Sequence, residues 1–308
     1  MSEASVDEAV LEVEPTAGAA PRRPKIRDYE GVIKAVIPET ADSATIVVET
    51  GEEPHDYWAG HFLTIDPHQF PALARFVAYF EDVKGKKEPP RAYSMASSPN
   101  ERELSFTVKE ETYVSGNTKY PPLMSPYLTY RLQVGQRLEF SGFGGPYVMP
   151  HDIDARTDHA VHICAGSGIV PNFSMIKWAL AMGFKVRHTL IYGNKTWDDV
   201  IFREAFDDLA RQYPDKLTIL HALSREADVS GFGPNVRKGR VGEDFIREVI
   251  TDPTAVEVFT CGPGLTRWDK EAARDKGEAP KPRFLETVLD SLKAIGVPKQ
   301  KVHREAFG

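Results

Sequence analysis

Hydrophobic and polar positions along the chain follow two different rhythms. From about residue 28 to 150, short β-branched runs alternate with turns: "GVIKAVIP", "SATIVVET", "HFLTIDP", "LSFTVKE" and "RLEFSG" have strand composition and strand length. Their spacing predicts a small antiparallel barrel or sandwich. One stretch breaks the pattern, "QFPALARFVAYFEDVKGKKEPP" at 69–90. Within it "ALARFVAYFEDV" has apolar residues at helical spacing, which predicts a short helix and then a basic loop. From about residue 158 the rhythm changes to strand alternating with helix. "HAVHICAG", "VRHTLIYG", "LTILHALS", "AVEVFTCG" and "KVHREAF" read as five buried strands, with "PNFSMIKWALAM", "DVIFREAFDDLARQY", "EDFIREVI" and "RFLETVLDSLKAI" as the helices between them. That alternation predicts a five-stranded parallel sheet with crossover helices on its faces, a fold that binds ligands at the C-terminal ends of its strands. The polar "MPHDIDARTD" at 149–158 marks the boundary, giving units at 26–152 and 153–308.

Composition narrows the function classes. The first 25 residues are rich in Ala, Glu, Pro and Ser and lack an apolar h-region, so they predict a disordered tail and not a secretory signal. The chain has 308 residues, 41% of them hydrophobic and 27% charged, enough for two cores. A net charge of −7 argues against a phosphate-backbone binder, so nucleic acid is not an expected partner. The two cysteines, Cys164 and Cys261, lack metal-ligand or cluster spacing and lie in apolar runs. No metal site is expected, and buried free thiols fit a reducing cytoplasm. No run of about 20 apolar residues predicts a membrane span.

Candidate chemistry clusters in both halves. "RAYSMASSPN" at 91–100 sets a guanidinium, a flat ring and a hydroxyl close together, with Arg91 and Tyr93 on one face of an extended segment and Ser94 on the other or at the bend. In "PPLMSPYL", Ser125 precedes a short helix and could help hold a phosphate group. The first βα turn of the second half reads "CAGSGIVP": Gly166, Ser167 and Gly168 follow a strand, and Pro171 suits a first helical turn. Glycines there let backbone approach a pyrophosphate at a helix N-terminus. Pro171 stands where a G-x-G-x-x-G fingerprint would carry its third glycine. "TCGPG" at 260–264 ends the fourth strand in a tight turn. After the third strand come Ser224 and Arg225, then Arg237, Lys238 and Arg240 beyond a glycine-rich loop. In an acidic chain these cations predict a seat for an anionic group such as a nucleotide 2′-phosphate.

Together these motifs resemble, in order over about residues 28–308, the ferredoxin–NADP reductase family. Arg91-Ala92-Tyr93-Ser94 matches its R-x-Y-[ST] flavin motif, and Ala59-Gly60-His61-Phe62 resembles its PGQ[FY] strand. Val108-Lys109 resembles a flavin-contacting strand, Leu123-Met124-Ser125 the pyrophosphate loop, and Gly142 to Tyr147 the G-P-x-G-x-F segment. Gly166 to Pro171 matches G-[TS]-G-x-x-P, and Cys261-Gly262-Pro263 matches the C-G-P near the nicotinamide. The chain departs from the pattern at Pro121 or Pro122, at Phe143 and in the long 69–90 insertion, and no plant-type ferredoxin segment is present.

The resemblance implies a flavin-binding barrel followed by a nicotinamide-nucleotide domain, and an FAD-dependent reductase carrying hydride from NAD(P)H to flavin and single electrons on to a separate acceptor such as a ferredoxin. Arg91 would take the flavin phosphate, Tyr93 would flank the isoalloxazine and Ser94 would lie near N5. Cys261 and Glu305 are implied beside the nicotinamide, and Phe307 over the flavin. FAD is favoured over FMN because the Ser125 loop suggests a second phosphate. NADPH is favoured over NADH because Ser224, Arg225 and Arg240 stand where the family contacts the 2′-phosphate and because no acidic residue ends the second strand. The basic "KGKK" at 84–87 suggests a meeting place for an acidic ferredoxin. A flavin-free NAD(P) dehydrogenase, or a non-catalytic regulatory protein on the same fold, are the alternatives.

Overall fold

In a computed structural model, residues 25–51, 55–113 and 120–307 are described. The tail expected at residues 1–25 lies outside them except for Lys25. In chain order the elements of the first half are β1 (Arg27–Thr40), β2 (Ser43–Glu49), β3 (Phe62–Ile65), α1 (Ala74–Lys84), β4 (Arg91–Ser94), β5 (Leu104–Lys109), α2 (Ser125–Tyr130) and β6 (Arg137–Gly144). The second half continues with α3 (Ile153–Arg156), β7 (His159–Ala165), α4 (Ile169–Ala181), β8 (Arg187–Asn194), α5 (Arg203–Gln212), β9 (Leu217–Leu223), β10 (Val236–Lys238) and α6 (Glu243–Val249). It closes with β11 (Val256–Pro263), α7 (Arg267–Asp275), α8 (Phe284–Ala294) and β12 (Val302–Phe307).

The first sheet is antiparallel in the order β4-β3-β6-β1-β2-β5. Its edges meet where Met95, just past β4, bridges Phe106 of β5, and Ala96 N–H donates to the Ser105 carbonyl at 2.7 Å. Curling the sheet back on itself leaves no long exposed edge and encloses a core that includes Ile46, Leu63, Phe106 and Phe140.

The second sheet is parallel in the order β10-β9-β8-β7-β11-β12. Five of its strands are those the sequence predicts; the sixth, β10, is a correction. Val236–Lys238 pairs with β9 over three residues, too short a run to show as a strand pattern. The sequence pattern also gives no helix at α7, because six of its nine residues are charged and it lacks an apolar stripe; the signal was the Thr266-x-x-Asp269 capping box, which closes reciprocally.

Chain order reverses at β7: β8 and β9 add on one side, β11 and β12 on the other. A crevice therefore opens at the C-terminal edge between β7 and β11. Above it α4, apolar nearly all round, is sandwiched between the two halves. Ser174 Oγ donates to the Ser97 carbonyl at 2.6 Å and Lys177 pairs with Glu101 at 2.6 Å, fixing α4 to the barrel. Tyr147 is buried at the same junction, its hydroxyl donating to Asn172 Oδ1 at 3.1 Å.

Candidate functional site

The glycine turn is built by two different constraints. Gly166 has φ +54°, a left-handed conformation that favours glycine, and a side chain there would enter open space. Gly168 has an ordinary φ, but a Cβ would collide with the Cys261 carbonyl and lie 2.8 Å from the Gly262 nitrogen. The missing Cβ lets α4 start directly against the end of β11. Tyr192 holds the turn by donating to the Gly166 carbonyl at 3.0 Å.

Around this turn lies a cavity of about 620 Å³, lined by the ends of β7, β8, β9, β10 and β11. Gly166, Ser167, Ser224, Arg240 and Pro263 face it, together with Asn194, Lys195 and, from the start of α8, Arg283. A second cavity of about 300 Å³ lies between the halves, where Ala92, Tyr93, Ser94, Val108 and Lys109 of the barrel meet Ser167, Pro263, Arg283 and Phe307. A third, about 210 Å³, runs outward along the barrel past Arg91, Tyr93 and Lys109 to Leu123, Met124 and Ser125. Adjacent cavities share walls: Tyr93 and Lys109 border the second and third, and Lys109, Ser167, Pro263 and Arg283 border the first and second. The three form one bent cleft across both halves.

Side-chain alternation along β4 sorts its residues. Arg91 and Tyr93 face the outer cavity, while Ser94 is buried and borders the inner one. Tyr93 rests on the barrel core with its ring 5.6 Å from that of Phe106, and burial raises its phenol pKa above the usual range. Arg91 Nη2 donates to Glu88 Oε2 at 2.7 Å, and its Nη1 donates to the Pro89 carbonyl. Glu88, only 1% exposed, accepts from Lys84 as well, so the insertion at 69–90 supplies a buried anchor for Arg91. Ser125 heads α2, its hydroxyl accepting from Glu111 N–H at 3.1 Å. The Lys109 ammonium pairs with Asp42 in the β1–β2 turn.

At the inner end, parallel register sets Cys164 of β7, Cys261 of β11 and Glu305 of β12 in a row. Both thiols are free and buried, and burial raises their pKa values well above normal. Burial pushes the Glu305 carboxyl up to about 7 against a hydrogen-bonding contribution from Ser94, and its Oε2 is buried with no hydrogen-bond partner. The ends of β8 and β9 are knitted together: Ser224 N–H donates to the Asn194 carbonyl at 3.0 Å, and Arg225 N–H to the Lys195 carbonyl at 2.7 Å.

Not every expected site residue lines the cleft. Gly168, Pro171, Cys261 and Gly262 lie beneath its floor, and Arg225 is exposed to one side of it. Among the cleft residues that no motif singles out are the cations Lys195 and Arg283. Lys195 directly follows a strand, a position that could have flagged it. Arg283 has no local signal, because α8 brings it to the cleft from far along the chain. Among the described residues no group of three His, Cys, Asp or Glu side chains is placed to hold a metal ion, and no helix is long and apolar enough to cross a membrane.

Comparison with known proteins gives a consistent result. The family model of the oxidoreductase NAD-binding domain matches residues 162–267. The chain is 29% identical over 282 residues to the ferredoxin reductase component of 3-ketosteroid-9-alpha-monooxygenase from Rhodococcus rhodochrous, covering 89% of this chain and 64% of that protein. It is 32% identical over 220 residues to the component of the same name from Mycobacterium tuberculosis, covering 70% of this chain and 49% of that one. The chain thus spans about half to two thirds of the length of these relatives. Among solved structures, the FAD/NAD-binding domain of nitric oxide dioxygenase from Vibrio cholerae aligns at a TM-score of 0.68 and 22% identity, covering 92% of this chain and all of that domain (100%). A cytochrome P450 reductase from Amycolatopsis aligns at 0.68 and 22%, covering 95% of this chain and 73% of that one. With a closed antiparallel sheet, a parallel sheet and a glycine turn packed against the end of β11, the chain shares the two-part fold of these structures and is similar over 162–267 to oxidoreductase NAD-binding domains.

Proposed function

We propose that this protein is an FAD-dependent reductase that takes hydride from NAD(P)H and passes electrons singly to a separate acceptor protein such as a ferredoxin. One observation carries the reading: Tyr93 and Ser94 of the barrel share a cavity with Ser167, Pro263 and Phe307 of the second half. Two ring systems held by opposite halves would meet there. We take 26–152 as the flavin-binding domain and 153–308 as the nucleotide-binding domain.

The fit to a flavin rests on the chemistry of the outer cleft. Arg91 and Lys109 offer cationic donors for phosphate, Tyr93 a ring face, and Ser94 a hydroxyl at the inner end. Val108, Leu123 and Met124 supply apolar walls, and Ser125 a hydroxyl farther out. Ser125, at the outer end of that cavity, would offer a second phosphate contact, which favours FAD over FMN. Pro121 and Pro122 lack backbone N–H groups, so side chains carry more of the phosphate binding than in a glycine-bearing loop. Bound FAD supplies the isoalloxazine, which accepts a two-electron hydride and releases electrons one at a time.

The chain's own residues orient and exclude water. Gly166, Ser167 and the start of α4 would take the nucleotide pyrophosphate, with Gly168, Pro171 and Gly262 shaping the turn from beneath. Pro263 borders the nicotinamide position, and Cys261 and Glu305 lie under it, with Glu305 near Ser94 able to hold a proton near neutrality. Phe307 would cover the inner cavity until a nicotinamide displaced it. NADPH is favoured over NADH: Ser224, Arg240 and Lys195 line the cleft, Arg225 stands beside it, and the nearby carboxylate of Glu226 is already taken by Trp197 N–H at 2.9 Å. The exposed Lys86 and Lys87 next to the flavin motif suit an acidic acceptor. Two buried free cysteines fit a reducing cytoplasm.

The test is the visible spectrum of the purified protein before and after anaerobic NADPH. A yellow protein bleached by NADPH is the expected result; a colourless one that binds no added FAD would overturn the reading.

A further inference from the structure

We propose that Arg283 is a binding residue for the pyrophosphate of the nicotinamide dinucleotide, a role that rests on the functional reading above. Four residues border both the nucleotide cavity and the inter-domain cavity: Lys109, Ser167, Pro263 and Arg283. A dinucleotide that places its nicotinamide in the inter-domain cavity and its adenosine near Arg240 must pass this constriction, and the part that passes is its doubly charged pyrophosphate. Ser167 belongs to the glycine turn. Arg283 supplies a planar fork of donors at the same place from a different element.

The side chain is held in position and not merely near. Arg283 Nη2 donates to Asp269 Oδ1 at 2.8 Å, and the other oxygen of Asp269 is locked in the capping box of α7, accepting from Thr266 N–H at 2.8 Å. Arg283 itself opens α8, with its backbone N–H bound by Glu286 at 3.1 Å. The guanidinium keeps 40% exposure, leaving donors free. Asp199, a carboxylate that also lines the nucleotide cavity, is fixed there by Oδ2, which accepts from the Thr196 N–H and hydroxyl.

A pyrophosphate ligand predicts a pattern that a 2′-phosphate ligand does not. In flavin-loaded full-length protein, calorimetric titration with NADP+, NAD+ and adenosine 2′-monophosphate separates the two. Arg283→Ala should weaken NADP+ and NAD+ alike, by roughly tenfold or more for loss of a charge-assisted contact, and leave adenosine 2′-monophosphate unchanged. Arg240→Ala should weaken NADP+ and the monophosphate but not NAD+. Arg283→Gln, which keeps a polar side chain at the start of α8, should lose as much dinucleotide affinity as the alanine variant. Wild-type-like dinucleotide binding by Arg283→Ala, or a loss confined to the alanine variant, would overturn the inference alone. Wild-type protein that binds neither dinucleotide would overturn the functional reading and this inference with it.

Discussion

Cys261 and Glu305 sit directly opposite each other on neighbouring parallel strands, and the carboxyl faces Ser94 from the other half of the molecule. Burial raises the Glu305 pKa from about 4.5 to about 7, so an unfolded chain ionises this group before the folded one does. Stability from Glu305 is thus complete below about pH 4.5 and declines as pH rises through 7. Glu305→Gln, which mimics the neutral acid, should be more stable than wild type at pH 8 by about 3 kcal/mol and little different at pH 4.5. Thermal melts of both proteins across that range measure it; parallel curves would refute it.

The opposite sign applies to the buried histidines. His162 Nδ1 pairs with Asn172 Oδ1 at 2.8 Å and its Nε2 with His188 Nδ1 at 3.0 Å, while His159 bonds Thr189 at 2.9 Å. Burial lowers His159, His162 and His221 to about 4 and holds His188 well below the usual histidine value. Their stabilisation is present above pH 6.5 and is lost as pH falls towards 4. For fully buried His162 the loss is about 3 kcal/mol. Urea midpoints between pH 7 and 4.5 should fall, and His162→Gln should flatten the fall.

Gly168→Ala tests the close approach of α4 to β11. The added methyl meets backbone of Cys261 and Gly262, which cannot swing aside as a side chain could. We expect a loss of about 1–3 kcal/mol, with dinucleotide affinity falling further than stability alone explains. Gly166→Ala meets no atoms but strains the left-handed backbone, so it should cost about 1 kcal/mol. A melt and an NADP+ titration of each variant separate the two causes.

Ser174→Ala removes the buried hydroxyl that ties α4 to the Ser97 carbonyl. The orphaned carbonyl should cost about 1–3 kcal/mol. Glu101→Gln keeps an acceptor for Ser98 and weakens mainly the partly exposed Lys177 pair, about 0.5 kcal/mol. If the two halves depend on this seam, limited proteolysis between residues 145 and 158 should speed up in Ser174→Ala and barely change in Glu101→Gln.

Much of this protein was determined by sequence alone. Alternating β-branched runs and then strand–helix alternation specified both sheets, because side-chain period is a local property of the backbone. The glycine turn, the Arg91–Ser94 segment and the Cys261–Pro263 turn were legible for the same reason: each packs its chemistry into a few consecutive residues. Tertiary structure decided what depends on packing between distant segments. The three-residue β10 becomes a strand only by lying along β9, and the charged α7 shows itself through its cap. Glu88 matters because folding buries it against both Lys84 and Arg91, and Glu305 is perturbed because β12 carries it beneath Ser94. Arg283 reaches the cleft from the start of α8, next to residues more than a hundred positions earlier. Local periodicity encodes which elements form, but burial, charge proximity and a shared cavity arise only when those elements meet.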